Sequence, residues 1–254
     1  MVTYLQAIIL GIVQGITEWL PVSSSGHLVI FDAMFGMKPN VAFDVLLHIA
    51  TLLVIFCVFW EDIAKIVTSI VLWKRNEHFR LGMMILIGSI PTALIGYFFV
   101  DFFEGLFTNL LVVGIALVFT GFLLFFSKFN HRKNTVRWYD SVLIGTVQGL
   151  AIIPGVSRSG ATVSTGLLLG IRKELVAKFS FILATPAILG AFLFKLGEIK
   201  KLQVMPSVVG FIITLVIGYL TLRWLLSIIK HNKFHHFCWY CWVVGIIVIM
   251  VYLF

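Results

Sequence analysis

One unusual phrase occurs twice in this chain. Residues 11–26 read GIVQGITEWLPVSSSG, and residues 145–160 read GTVQGLAIIPGVSRSG. Aligned at one fixed offset, they share Gly11/Gly145, Val13/Val147, Gln14/Gln148, Gly15/Gly149, Val22/Val156, Ser23/Ser157, Ser25/Ser159 and Gly26/Gly160. Each copy sets a proline, glycines and hydroxyls inside a strongly apolar stretch. A plain spanning helix cannot run through it, because proline lacks the N–H and its ring clashes with the preceding turn. Two broken helices at corresponding places in an apolar chain point to a duplicated membrane protein.

The composition agrees. Sixty per cent of residues are hydrophobic and 12% are charged, too few polar groups to cover a soluble core of 254 residues. The net charge of +8 is no nucleic-acid signal, because the cations sit in short loops between apolar runs, where they set topology. The N-terminal region is not expected to be a cleavable signal peptide, since Lys38 is its first cation and Gln14 and Glu18 interrupt the apolar stretch. Cys238 and Cys241 form a CxxC behind His235 and His236. Metal spacing is the sharper reading. The preferred one is a helix entering the membrane behind an aromatic belt of Phe237, Trp239, Tyr240 and Trp242.

Six runs are long enough to cross ~30 Å of hydrocarbon as helices of about 20 residues. They are 41–60, 81–100, 108–127, 175–195, 207–229 and 237–254. Two further regions, 2–35 and 139–171, are apolar but broken, at Pro21 to Gly26 and at Pro154 to Gly160. Each half, 1–127 and 139–254, thus holds one re-entrant hairpin and three spans. Lys65, Lys74, Arg75 and Arg80 mark loop 61–80 as internal, as Lys128, Arg132, Lys133 and Arg137 mark 128–140. Loop 101–107 carries Asp101 and Glu104 and is external. An odd number of crossings per half inverts the second copy. The expected fold class is therefore an all-α integral membrane protein with an inverted-topology repeat, both hairpin tips near the midplane and both termini outside. Lys195, Lys200 and Lys201 then fall outside, against the charge bias. Non-helical backbone at that depth survives only when buried in protein or lining a wet cavity, so the tips predict a cavity.

The tips carry the candidate chemistry. Gln14 and Glu18 are four apart and share one helical face, and a carboxylate inside a membrane is costly enough to suggest function. Ser23, Ser24 and Ser25 read as helix caps, but three hydroxyls followed by Gly26 and His27 exceed what one cap needs. His27 is read as an acid/base group. In the second copy Ile152 stands where Glu18 stands in the first, and Arg158 appears among Ser157, Ser159, Gly160 and Thr162. A guanidinium there must find an anion. A phosphate, shared with those hydroxyls and amides, is the favoured partner, and an ion pair with Glu18 the alternative. Asp44 and His48 form a further i, i+4 pair, either a layer behind the site or a contact internal to their helix.

At these residues the chain resembles the undecaprenyl pyrophosphate phosphatases, the bacitracin-resistance protein family. Gln14-Gly-Ile-Thr-Glu18 fits the family's (Glu/Gln)xxxGlu motif, Pro154 to Thr162 its PGxSRSxxT motif, and Pro21-Val-Ser-Ser-Ser-Gly-His27 the segment with its essential histidine. The resemblance implies a phosphatase of the bacterial cytoplasmic membrane acting on a C55 isoprenyl pyrophosphate, which recycles the lipid carrier of peptidoglycan synthesis and bears on bacitracin resistance. It also implies a divalent cation, Mg²⁺ or Ca²⁺, held by Glu18 with Gln14, and a site open to the outer face. Glu18, Ser24, His27 and Arg158 would be catalytic, with Ser24 or His27 as nucleophile. Gln14, Ser23, Ser25, Ser157, Ser159, Gly160 and Thr162 would hold substrate. The alternative function is a flippase or transporter of a phosphorylated lipid.

Overall fold

The computed structural model describes residues 2–37, 40–128 and 133–254; Lys38 and Arg132, used above as charge markers, lie outside them. The chain is all-helical among the described residues, apart from an isolated bridge between Lys133 and Ile171. Its helices are α1 (Tyr4–Thr17), α2 (Ser24–Met34), α3 (Val41–Val71), α4 (Glu77–Phe98), α5 (Val100–Leu106), α6 (Leu110–Phe126), α7 (Trp138–Leu150), α8 (Arg158–Leu168), α9 (Lys173–Ile199), α10 (Val204–Lys230) and α11 (Phe237–Leu253). Five helical stretches are long and apolar enough to cross a membrane; α5 and α6, bent by 99°, make a sixth if taken as one span. Large apolar side chains such as Phe98, Phe122, Trp224 and Ile247 point outward, as lipid-facing positions require.

Local chemistry breaks the helices where the sequence is broken. Between α1 and α2, Ser23 takes φ +68 and its hydroxyl accepts from Gly26 N at 3.2 Å. Between α7 and α8, Gly155 takes φ +98, and Ser157 caps Gly160 N at 3.1 Å. Each cap satisfies an amide that a new helix start leaves without a partner. The Ser23–Ser25 hydroxyl pair (3.3 Å) recurs as Ser157–Ser159 (3.2 Å).

Packing pairs the helices of the two halves. α1 lies on α10 and α7 on α4, with Thr214 Oγ1 donating to Gly11 O (3.1 Å) and Thr92 Oγ1 to Gly145 O (2.7 Å). At Gly145 the backbones are so close that a Cβ would sit 1.9 Å from Gly88 O. Likewise α6 packs on α11 and α3 on α9. A large apolar core with Trp19, Phe59, Phe179 and Phe181 fills the centre, Trp19 meeting Phe181 edge-on with centroids 5.8 Å apart.

The two breaks meet there. Gly155 N donates to Ser23 Oγ (3.1 Å), and Ser159 Oγ donates to Leu20 O (3.3 Å). Cys241 Sγ donates to Pro21 O at 3.3 Å from α11, so this cysteine braces a tip. Cys238 and Cys241 are buried, and no group of three metal-ligating side chains occurs among the described residues.

Candidate active site

Glu18 caps the C-terminus of α1 just before the first break, and its carboxylate is the hub of a buried polar cluster. Oε2 accepts from Ser24 Oγ at 2.6 Å and from Gln14 Nε2 at 3.0 Å, and lies 3.3 Å from His48 Nε2. Oε1 accepts from Arg158 Nη2, which arrives from the start of α8 in the second tip. The cluster thus joins α1, α2, α3 and α8. A carboxylate this deep persists because every oxygen is charge-paired or hydrogen-bonded.

Glu18, Ser24, His48 and Arg158 line one cavity of about 490 Å³, together with Ser25, Asp44, Gln148 and Ser157. Its remaining wall is largely apolar, with Val100, Phe103, Phe107, Ile188 and Phe194. The Glu18 cluster can therefore hold charge while the apolar wall, interrupted by the Glu104–Lys195 ion pair, accommodates hydrocarbon. Arg158 Nη1 is buried with no hydrogen-bond partner among the described residues, as is Gln14 Oε1. The first is an unspent donor suited to an anion, the second an unspent oxygen suited to a cation.

Glu18, Ser24, Ser25, Ser157 and Arg158 meet in the cavity as the sequence suggested. His27 does not reach it. Its Nδ1 faces Ser23 O at 2.8 Å; a carbonyl only accepts, so the proton lies on Nδ1. Its Nε2 then accepts from Tyr240 OH at 2.7 Å, with the rings stacked 5.7 Å apart. Both nitrogens are thus spent, Nδ1 on the start of α2 and Nε2 on bracing α2 against α11. The ring is held by its partners: Ser23 O at the start of α2 and Tyr240 of α11 turn it away from Glu18.

The other candidates also brace. Ser23 Oγ accepts from two amides, those of Gly26 and Gly155, and Ser159 ties the tips together. Gly160 gives its amide to Ser157, and a Cβ there would lie 3.2 Å from Pro21. Thr162 Oγ1 pairs with Arg158 O (2.7 Å) and with Ser180 Oγ. Gln14 touches Glu18 and lies outside the cavity lining.

His48 takes the place at the carboxylate that the sequence reading gave to His27. Its Nδ1 lies 2.7 Å from Asp44 O, which fixes that proton and turns Nε2 to Glu18. The available signal was the Asp44/His48 spacing on an apolar helix, but spacing alone does not say which helix lies opposite. Gln148 was visible as the repeat of Gln14; in the structure it donates to Leu183 O (3.2 Å) and Thr92 Oγ1 (3.3 Å).

The fold and this cluster define a polytopic helical membrane protein with a buried acid–hydroxyl–guanidinium site. A family model described as bacitracin resistance protein BacA matches residues 7–247. Among similar proteins are the undecaprenyl-diphosphatases of Methanosphaera stadtmanae, 40% identical with 91% of each chain covered, and of Carboxydothermus hydrogenoformans, 41% identical with 92% of this chain and 93% of the relative covered. That of Bacteroides thetaiotaomicron is 38% identical over 92% of this chain and 94% of its own. The chain belongs to the bacitracin resistance protein BacA family.

Proposed function

We propose that this chain is a membrane phosphatase that hydrolyses undecaprenyl diphosphate to undecaprenyl phosphate and inorganic phosphate. The observation that carries the reading is the meeting of Ser24, Glu18 and Arg158 at the polar end of a cavity with an apolar wall. Ser24 Oγ, already donating to Glu18, attacks the terminal phosphorus, and its proton passes to Glu18 Oε2. The bond to the bridging oxygen breaks, and undecaprenyl phosphate leaves. Arg158 Nη1 takes the charge that develops on phosphate oxygens, helped by the Ser25 and Ser157 hydroxyls at the lining. Glu18 gives the Ser24 proton to the departing undecaprenyl phosphate and, ionised again, takes a proton from water. The water oxygen attacks the phosphorus, the bond to Ser24 Oγ breaks, and Ser24 takes the proton back as inorganic phosphate leaves. In this reading His27, Ser23, Ser159, Gly160 and Thr162 hold the tips in place.

A divalent cation suits the residues present. Glu18 and the unpartnered Gln14 Oε1 beside it would be its oxygen donors from the protein. When bound it would neutralise phosphate charge.

The reading includes an inverted-topology repeat of residues 1–127 and 139–254, with hairpins 2–35 and 139–171 and the site open to the outer face. It is supported by the duplicated caps, the duplicated threonine-to-glycine bonds and the pairing of α1 with α10 as α7 pairs with α4. Such symmetry also suits a lipid carrier. The unlike tips, Glu18 and Ser24 on one and Arg158 on the other, favour catalysis. The test is phosphate release from a long-chain isoprenyl diphosphate by the purified chain, with and without EDTA. Release is expected and EDTA should suppress it. Lipid movement across vesicles with no phosphate released would support the carrier instead.

A further inference from the structure

A second concavity, about 600 Å³, lies apart from the cavity just described. It is formed by the end of α10 (Trp224, Ser227, Ile228), His231 and Lys233 of the connection, and His236, Phe237 and Tyr240 at the start of α11. No aspartate or glutamate lines it, and none follows Glu198 anywhere in the sequence. Arg223 and Lys230 belong to the same uncompensated stretch. From α9, Lys173 Nζ reaches Lys230 O (2.5 Å) and Asn232 Oδ1 (2.9 Å), adding a cation to this end of the bundle.

We propose that this groove is a binding site for an anionic glycerophospholipid, one whose head carries a phosphodiester and no ammonium. Lys233 is exposed and faces the groove as a donor for phosphate oxygens, with His231 and His236 exposed beside it, the His231 Nδ1–H being given to Ser227 O (2.7 Å). The lipid's ammonium-bearing counterparts gain nothing here, because no carboxylate lines the groove and the cations repel them. Trp224 and Tyr240 are exposed aromatics of the kind that sit at headgroup depth. Beyond them Leu220 and Val243 continue outward-facing apolar surface on α10 and α11, along which acyl chains can lie. A soluble anion uses only the first of these features, whereas a lipid uses all of them. Basic pockets between spanning helices are recurrent sites for anionic head groups. The groove also touches the tips: Tyr240 OH donates to His27, and His27 donates to Ser23 O. A lipid seated against Tyr240 therefore steadies the first hairpin.

The test uses the full chain, stripped of lipid in neutral detergent and then offered phosphatidylglycerol or phosphatidylcholine, with bound lipid counted by native mass spectrometry. Phosphatidylglycerol should be retained over phosphatidylcholine and should raise the melting temperature. The Lys233→Gln variant should reduce that preference about fivefold, the weight of one cation at an anionic head group. Lys74→Gln/Arg75→Gln, exposed on the connection between α3 and α4, should keep it. Equal retention of the two lipids by the wild-type chain overturns the site without any variant. So does an equal loss in the Lys74/Arg75 control, which would mean diffuse surface attraction. Retention of an isoprenyl monophosphate in preference to phosphatidylglycerol would overturn the occupant. None of these readouts depends on phosphate release, so the site can fail while the phosphatase reading holds, and the reverse.

Discussion

At the scale of single residues, burial makes each partner of Glu18 count. Arg158→Ala removes both the fork and the countercharge of a buried carboxylate. It should lower kcat/KM for an isoprenyl diphosphate at least ~100-fold, as losing a donor to transition-state charge commonly does. Normal turnover in that variant would end the assignment of Arg158 to the phosphate. Ser24→Ala should abolish turnover while leaving the Glu18–Arg158 pair, and hence the melting temperature, nearly unchanged. His27 and Tyr240 make the opposite prediction. Tyr240→Phe deletes the hydroxyl that satisfies His27 Nε2 and should cost about 1–3 kcal/mol of stability, with kcat changed only a few-fold. If Tyr240→Phe is silent and His27→Ala kills turnover without lowering stability, the imidazole works in chemistry rather than in bracing.

At the scale of elements, close helix approach depends on missing side chains. The α4–α7 crossing leaves no room for a methyl at Gly145, where a Cβ would fall 1.9 Å from a backbone oxygen. Backbone cannot rotate away as a side chain can, so Gly145→Ala should push α7 off α4. That would break the Thr92–Gly145 bond and destabilise by about 1–3 kcal/mol or more. Gly190→Ala, with nothing within 4 Å of its Cβ and a position inside α9, is the control and should not lower the melting temperature. Much of this was legible beforehand: Pro21, Pro154 and the serines marked the helix breaks, and apolar length marked the spans. The reach of α3 to Val71, kinked at Phe59, and the bend between α5 and α6 were not. Both depend on neighbouring helices rather than on local composition.

At the scale of the molecule, the orienting charges predict that cysteines at Gly105 and Arg75 label from opposite faces of the membrane, in a chain whose Cys57 is replaced by serine. Labelling of both from one face would refute the proposed inversion. Lys195, which breaks the charge bias, is 2.8 Å from Glu104 and 3.0 Å from Glu198. Neutralised in this way it carries little weight as a topology marker, so its position does not contradict the loops that do.

What the sequence alone determined is whatever follows from covalent order: the apolar runs, the paired breaks, and the presence of Glu18, Ser24 and Arg158 at those breaks. Each is a local property, set by proline, by caps and by the cost of charge in hydrocarbon. Which imidazole reaches the carboxylate, which hydroxyls face the cavity and which merely stitch the tips together were decided only in three dimensions. Those outcomes depend on the rotational phase of α2, α3 and α8 about one another, and that phase is fixed by contacts between residues far apart in the chain.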